Sequence, residues 1–215
     1  MGERWATLDC YGTLVDWNAG IRAELGRVFG EDRADALLAR YHELEPEIQA
    51  AQPSLPYREV MALAMRRLGA PAGEENALAR SLPDWPVFPE VPVALTEARA
   101  RGWRLAILSN SDRDLIEASQ ERIGVPFELA IVAGEIGSYK PAPAHWERFY
   151  GETGAECERH VHVAQSHFHD IVPAQELGIR TVWVNRLAER RDPPPTRELP
   201  ALDALPETLD ELVGR

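Results

Sequence analysis

Four short apolar runs, separated by helix-length segments, constrain most strongly what this chain can fold into. Runs that are both short and continuously apolar are typical of strands buried on both faces of a parallel sheet. The segment before the last run ends in Leu177 and Gly178, and a glycine just past an apolar helical position indicates a helix end. Strands that alternate with helices predict an α/β fold with a doubly wound parallel sheet. The runs are residues 5–8, 105–108, 161–164 and 181–185, and the clearest helical segments are residues 91–101 and 112–123.

The segment between the first two runs breaks this alternation. It has helical periodicity at residues 21–28, 34–48 and 57–68, and no part of it has a convincing strand pattern. An all-helical insertion directly after the first strand predicts a cap over the ligand crevice. We therefore divide the chain into a core, residues 1–16 and 88–215, and a helical cap, residues 17–87. Beyond the last run, the prolines at 193–195 predict a surface linker, and residues 205–213 predict one further short strand or helix.

Polar side chains follow the apolar runs at their carboxyl ends. Asp9 follows the first run and precedes Gly12, so backbone N–H groups of a glycine turn can hold its carboxylate ionised for nucleophilic attack. Capping of that turn is the alternative role for this aspartate. Residues 109–112, Ser-Asn-Ser-Asp, follow the second run and can donate to an anion or cap the next helix. Residues 165–170 follow the third run, and ligands of such sheets bind beyond the carboxyl ends of the strands, so the sequence predicts one shared site.

Lys140 stands out among the basic residues. The chain has 23 lysines and arginines, and this is the only lysine. A coding bias towards arginine explains the other positions, but where the two cations serve equally well it would have replaced this one too. Either Lys140 is a chance survivor, or its position requires a compact point charge rather than a planar guanidinium.

Composition excludes several classes of function. A net charge of -12 leaves no basic stripe for nucleic acid, and no apolar run approaches the length that crosses a membrane. Two cysteines, Cys10 and Cys157, are too few for a disulfide framework. With no apolar signal core at the start, the expected location is cytoplasmic. We interpret Cys10 as a small buried residue, because the sequence provides it with no activating histidine.

The polar segments, taken in order, resemble the motifs of the haloacid dehalogenase superfamily. LDCYGTLVDW resembles the first motif, LAILSNSD the second, GSYKP the third and VAQSHFHD the fourth. The resemblance covers nearly the whole chain and implies a Rossmann-like core with an inserted helical cap. It also implies a hydrolase that works through an aspartyl intermediate.

Two departures from the superfamily pattern bear on the reaction. Most members transfer phosphoryl groups with Mg²⁺ and carry a second aspartate in the first motif, where this chain has Tyr11. The fourth motif opens with an acidic residue in those members and with Gln165 here. Mg²⁺ prefers carboxylate and water oxygens, and a phosphatase would also lack its general acid. We therefore expect no metal and no cofactor, although a phosphatase with a weakened metal site stays as an alternative.

At these two positions the chain resembles the metal-free branch of L-2-haloacid dehalogenases. In that branch an aspartate displaces halide from a carbon next to a carboxylate. The resemblance implies that Asp9 is the nucleophile and that Lys140 keeps it ionised. It further implies that Thr13 and Ser109 orient these groups and the substrate carboxylate, and that Asp170 holds Lys140 or activates water. The predicted substrate is a small carboxylic acid, and relatives of this branch are often homodimers.

The same resemblance assigns contacts with substrate or halide. Asn110 would face the leaving group, and Arg40 aligns with an arginine of the cap, although a solvated helix face is its alternative role. Trp146 stands where relatives tend to have tyrosine. The other residues predicted to contact substrate or halide are Tyr11, Ser166 and His167.

Two further hypotheses remain open. The chain also resembles a relative that opens the ring of azetidine-2-carboxylate, a reaction in which an amine leaves. His167 or His169 could then protonate the departing nitrogen, and packing or capping at a helix start is the alternative role of both. The last hypothesis is a binding protein that kept the fold and lost catalysis, which the combined presence of Asp9, Lys140 and Asp170 disfavours.

Overall fold

A computed structural model describes residues 2–214. Six parallel strands form one sheet in the order β3-β2-β1-β4-β5-β6, with the first strand at its centre. Helices flank the sheet, which gives the predicted doubly wound α/β architecture. The strands are β1 (Arg4–Leu8), β2 (Trp103–Ser109), β3 (Leu129–Val132), β4 (His160–Ala164), β5 (Arg180–Val184) and β6 (Arg197–Leu199).

The first four helices after β1 form what we call the helical insert. They are α1 (Trp17–Phe29), α2 (Ala34–Ala51), α3 (Tyr57–Arg67) and α4 (Ala77–Ser81). The remaining helices accompany the sheet: α5 (Val91–Ala100), α6 (Arg113–Ile123), α7 (Ala133–Ile136), α8 (Ala144–Thr153), α9 (Val172–Glu176) and α10 (Leu205–Val213). Within residues 2–214, none of the helices combines the length and apolarity needed to cross a membrane.

The alternation of side chains along the strands builds two cores. In β2, Leu105 and Ile107 join the larger cluster, which extends into the helical insert, whereas Ala106 and Leu108 face the opposite side of the sheet. Because successive residues of a strand point to opposite faces, a fully buried strand supplies apolar residues to both. All five positions of β1 and of β4 are buried.

The four predicted runs form the inner strands, and the two edge strands were missed. β3 has only four residues, and β6 has three, of which two are exposed. An exposed edge strand lacks the apolar run that marks a buried one, so the prediction of an irregular tail overlooked β6. Residues 205–213, for which the sequence predicted either a strand or a helix, form the helix α10.

Asp112 joins the core to the helical insert. Its Oδ1 accepts a hydrogen bond from the backbone N–H of Tyr57 at 3.0 Å, and its Oδ2 accepts one from that of Arg58 at 2.9 Å. These are the first two N–H groups of α3, which have no partner inside the helix. Asp112 therefore stabilises a helix of the insert, although by position it begins α6.

Candidate active site

A cavity of about 580 Å³ lies beyond the carboxyl ends of β1, β2 and β4. The core contributes one wall, and α1, α2 and α3 of the insert contribute the facing wall. The structure thus brings together most of the residues that the sequence assigned to one site. Those that line the cavity are Asp9, Tyr11, Ser109, Asn110, Lys140, Ser166, His167 and Asp170.

Asp9 is held at the tip of the central strand. Its backbone N–H donates to the carbonyl of Val163, and the hydroxyl of Thr13 donates to its Oδ2 at 2.9 Å. The turn that follows passes through Gly12 with φ of 89°, a conformation that favours glycine. Thr13 is itself fixed, because its oxygen accepts from the backbone N–H of Gln165 at 2.9 Å. The carboxylate therefore has a defined orientation at the floor of the cavity.

Lys140 joins the two buried carboxylates of the site. Its Nζ donates to Asp9 Oδ1 at 3.0 Å, to Asp170 Oδ1 at 2.6 Å and to the carbonyl of Leu108 at 2.8 Å. An ammonium has three N–H donors, and all three are used here. The side chains of Lys140 and Asp170 are each 1% exposed, so this ion pair is shielded from water.

Opposing influences set the protonation of these groups. Burial alone would lower the pKa of Lys140, but Asp170 and Asp9 together raise it above its usual value. Burial would likewise raise the pKa of Asp170, yet Lys140 and His162 hold it well below the usual range. Burial raises the pKa of Asp9, against the lowering effects of Lys140 and Thr13. Asp170 is therefore the ionised partner of the ammonium, and its low basicity favours holding Lys140 over activating water.

A chain of hydrogen bonds supports Asp170 from beneath the sheet. His162 Nε2 lies 2.9 Å from Asp170 Oδ1, and its Nδ1 lies 2.8 Å from the hydroxyl of Thr7. The Thr7 hydroxyl lies 2.7 Å from His160 Nε2, and His160 Nδ1 lies 2.7 Å from the hydroxyl of Tyr150. Because the ionised Asp170 can only accept, His162 carries its proton on Nε2. The sequence prediction missed this chain of hydrogen bonds. The available signal was a pair of histidines, His160 and His162, at alternate positions of one apolar strand.

Several predicted contact residues use their polar atoms within the protein. The side chain of Asn110 donates to the carbonyl of Lys140 at 2.9 Å and accepts from its N–H at 2.6 Å, which fixes the lysine loop. The Ser166 hydroxyl accepts from the N–H of His169 and lies 3.0 Å from its Nδ1. The Tyr11 hydroxyl lies 3.1 Å from that of Ser119. Tyr11, which stands where most superfamily members have a second aspartate, therefore directs its hydroxyl to Ser119 and not to Asp9.

Neither histidine of the fourth motif is free in this arrangement. His167 Nε2 donates to the carbonyl of Pro193 at 2.9 Å, and its ring packs edge-on against Trp183. His169 is bonded to Ser166, and burial lowers its pKa. Both line the cavity and lie within a π-helical turn, His167–Ile171, a feature often found at functional sites.

Two predicted residues lie outside the site, and we correct their assignments. Arg40 is exposed on α2 and pairs with Glu43 on the same helix surface, so the prediction that it contacts substrate or halide does not fit. Trp146 is fully buried in the smaller core, where its ring packs edge-on against His162. It supports the hydrogen-bonded chain under Asp170 and does not line the cavity. Cys10 is buried, and burial raises the pKa of its thiol, as expected for an inert residue.

The facing wall contains residues that the sequence prediction missed. His42, Glu45 and Gln49 of α2 line the cavity, with Trp17 of α1 and Tyr57 of α3. Positions 42, 45 and 49 share one face of a helix, so polar residues at this spacing beside an apolar stripe were the available signal. Within residues 2–214, no group of three histidine, cysteine or acidic side chains converges to hold a metal ion.

Comparisons with known proteins agree with the fold and the motif order. The model of the haloacid dehalogenase-like hydrolase family matches residues 4–178. A phosphoserine phosphatase from Thermus thermophilus is 32% identical over 177 residues, covering 79% of this chain and 71% of that protein. Haloacetate dehalogenase H-2 from Moraxella is 28% identical over 210 residues, covering 92% and 93%.

Solved structures give the same result at the level of the fold. An L-2-haloacid dehalogenase superposes with a TM-score of 0.85 at 23% identity, covering 98% of this chain and all (100%) of that one. The L-2-haloacid dehalogenase of Xanthobacter autotrophicus has a TM-score of 0.83 at 20% identity, covering 96% and 98%. The ordered motifs lie at one edge of the sheet, and the family model spans most of the length of the chain. This chain therefore belongs to the haloacid dehalogenase-like hydrolase family.

Proposed function

We propose that this protein is a metal-independent hydrolase of small 2-substituted carboxylic acids that works through an ester on Asp9. One observation carries the proposal: Lys140 Nζ lies between Asp9 and Asp170, 3.0 Å and 2.6 Å from their oxygens. The ammonium keeps an attacking carboxylate ionised and offsets its charge as an anionic substrate approaches. The helical insert would act as the cap that closes the cavity.

The reaction has two steps at Asp9. In the first, a carboxylate oxygen attacks carbon 2 of the substrate, and the bond to the 2-substituent breaks with its electrons leaving on that substituent. In the second, water attacks the carbonyl carbon of the Asp9 ester, which releases the 2-hydroxy acid, a proton and the regenerated carboxylate. The product hydroxyl therefore carries an oxygen that came from Asp9. Thr13 orients the carboxylate, and Ser109 lies beside it with a hydroxyl that can bind the substrate carboxylate.

The donor set around Asp9 fits Mg²⁺ poorly. The ion prefers an octahedron of carboxylate and water oxygens, but Lys140 already bridges the two buried carboxylates. Tyr11 is bonded to Ser119, and Gln165 supplies no charge. The phosphoserine phosphatase relative keeps phosphate-ester hydrolysis as the competing activity, whereas the haloacetate dehalogenase matches a larger share of both chains.

Single-turnover reaction in ¹⁸O-labelled water tests the proposal directly. Excess enzyme is mixed with a panel of 2-chloro and 2-bromo acids, and the product is analysed by mass spectrometry. We expect an unlabelled hydroxyl after one turnover, label in Asp9, and no effect of a chelator. Asp9→Asn should form no product.

Two results would contradict the proposal. Label that enters the product in the first turnover would exclude an ester on Asp9. Turnover of phosphate esters that requires Mg²⁺ and stops with chelator, without any reaction of the 2-halo acids, would make the protein a phosphatase.

A further inference from the structure

The wall that faces Asp9 contains a buried acid with no assigned role. Glu45 lines the cavity from α2 and is only 8% exposed. Its pKa is raised to about 7, chiefly by burial and also by the nearby Asp9, against a hydrogen bond with Tyr57 that lowers it. An acidic residue that lines a cavity is available to a ligand.

No cation among residues 2–214 neutralises this acid. Within the described part of the chain, Glu45 forms no ion pair, and Arg40 of the same helix is paired with Glu43 on the outer surface. Lys140 is held by Asp9 and Asp170 on the opposite wall. A buried carboxylate without a cationic partner is unfavourable, and an incoming cation would relieve that cost.

The charges that line the cavity also favour a ligand with a cationic group. Five acidic residues line it, Asp9, Glu45, Asp170, Glu189 and Asp192, against the two cations Lys140 and Arg191. Arg191 is already paired with Glu189. A purely anionic ligand therefore finds one buried ammonium at the floor and an acid on the wall opposite.

Resting on the proposed ester mechanism, we propose that Glu45 binds a protonated amine of the substrate. The substrates would be small zwitterions, with a carboxylate near Ser109 and Lys140 and an ammonium group near α2. Glu45 is thus a residue that determines specificity.

The neighbouring polar groups do not replace Glu45 in this role. His42 packs edge-on against Trp17, and burial lowers its pKa, so it stays neutral. Gln49 lines the same wall without a charge. The titratable groups that influence or are influenced by Glu45 are Asp9, Tyr41, Tyr57 and Tyr139, and the three phenols have raised pKa values.

Paired ligands that differ only in an ammonium group test the proposal. Isothermal titration calorimetry compares propionate with 3-aminopropionate, and butyrate with 4-aminobutyrate, on the intact protein at pH 8. None of these has a leaving group, so the measurement does not depend on turnover or on Asp9 chemistry. In at least one pair we expect the amino compound to bind about 10- to 100-fold more tightly, the range for a hydrogen bond to a charged group.

Two variants of α2 separate recognition from structure. Glu45→Gln should remove the preference for the amino compound, whereas Glu43→Gln, on the exposed face of the same helix, should retain it. The preference should also grow from pH 6 to pH 8 in the wild type, because Glu45 becomes ionised over that range. Glu45→Gln should lose this pH dependence, and thermal unfolding checks that both variants are folded.

The outcomes are separable from those of the proposed function. Equal binding of both members of every pair, or an equal loss of affinity for both in Glu45→Gln, overturns the role of Glu45. The ¹⁸O experiment with 2-halo acids decides the Asp9 ester independently. If label enters the product in that experiment while the amino compounds still bind more tightly, the amine site is retained and the ester mechanism is rejected.

Discussion

At the scale of single residues, the rarity of lysine acquires a physical reason. Lys140 directs three donors from one atom to three acceptors on different elements: Asp9 after β1, the carbonyl of Leu108 in β2, and Asp170 near β4. A planar guanidinium spreads its donors over three nitrogens and cannot converge on these acceptors without displacing them. The position therefore requires an ammonium, whereas surface positions accept either cation.

Lys140→Arg should reduce kcat/KM by at least about 100-fold, because a shift of roughly 1 Å in a reacting group can cost that much. Steady-state kinetics on the best substrate of the 2-halo acid panel measures the effect. Arg148→Lys is the matched control, since Arg148 is exposed and forms a surface ion pair with Glu152. We expect no change there, and unaltered turnover in Lys140→Arg would contradict the special role of the ammonium.

The sequence predicted the core side of the site well and its insert side poorly. Asp9, Ser109 and Asp170 were identifiable because strand ends of a parallel sheet must converge, and Lys140 because it is the only lysine and stands in the third motif. The rotation of α2 follows from packing with neighbouring helices, which a local pattern does not determine. Arg40 was consequently placed in the site although it lies outside, and Glu45, five residues later, was overlooked.

At the scale of elements, the helical insert is tied to the core through the start of α3. Asp112 accepts from the N–H groups of Tyr57 and Arg58, and the hydroxyl of Tyr139 donates to the carbonyl of Leu55 at 2.5 Å. Tyr57 itself lines the cavity, so the first turn of α3 connects the insert with the ligand site. The second motif thus supplies a structural aspartate two residues after Asn110.

Asp112→Ala should lower the free energy of unfolding by about 1–2 kcal/mol, the usual cost of removing a helix-capping carboxylate. It should also raise KM, because the first turn of α3 loses its anchor beside the cavity. Urea unfolding and steady-state kinetics measure the two effects. Asp114→Ala is the control, since Asp114 forms an exposed ion pair with Arg58 and should contribute at most about 0.5 kcal/mol. Equal effects of the two substitutions would exclude this anchoring role for Asp112.

The limits of prediction at this scale follow from burial. The inner strands β1, β2, β4 and β5 pack on both faces and need continuous apolar runs, so the sequence marked them. At the edges, β6 is largely exposed, and its pairing with β5 depends on the fold already formed around it. The other edge strand, β3, is a run of four apolar residues of which three are buried, so its pattern was present in the sequence and was overlooked.

At the scale of the whole molecule, the core contains histidines that stay neutral under mildly acidic conditions. His145 is fully buried beside the site and donates from Nε2 to the carbonyl of Ser109, while His160 lies in the chain beneath Asp170. Burial lowers the pKa of each to about 3. In the unfolded chain both would titrate near the ordinary histidine value of about 6.5. Protonation between these values therefore favours the unfolded state.

Stability should consequently fall as the pH is lowered from about 6.5 towards 3, since the unfolded chain binds two protons that the folded protein does not. Each histidine contributes a slope of about 1.4 kcal/mol per pH unit well below pH 6.5, so the pair contributes roughly 2.7. Urea unfolding at half-unit steps between pH 7 and pH 4.5 measures the slope. His160→Gln can still bond to Thr7 and Tyr150 and should remove about half of it. A free energy of unfolding that stays constant over this range would show that the buried imidazoles are not held neutral, and the proton placement assigned to the chain beneath Asp170 would then be wrong.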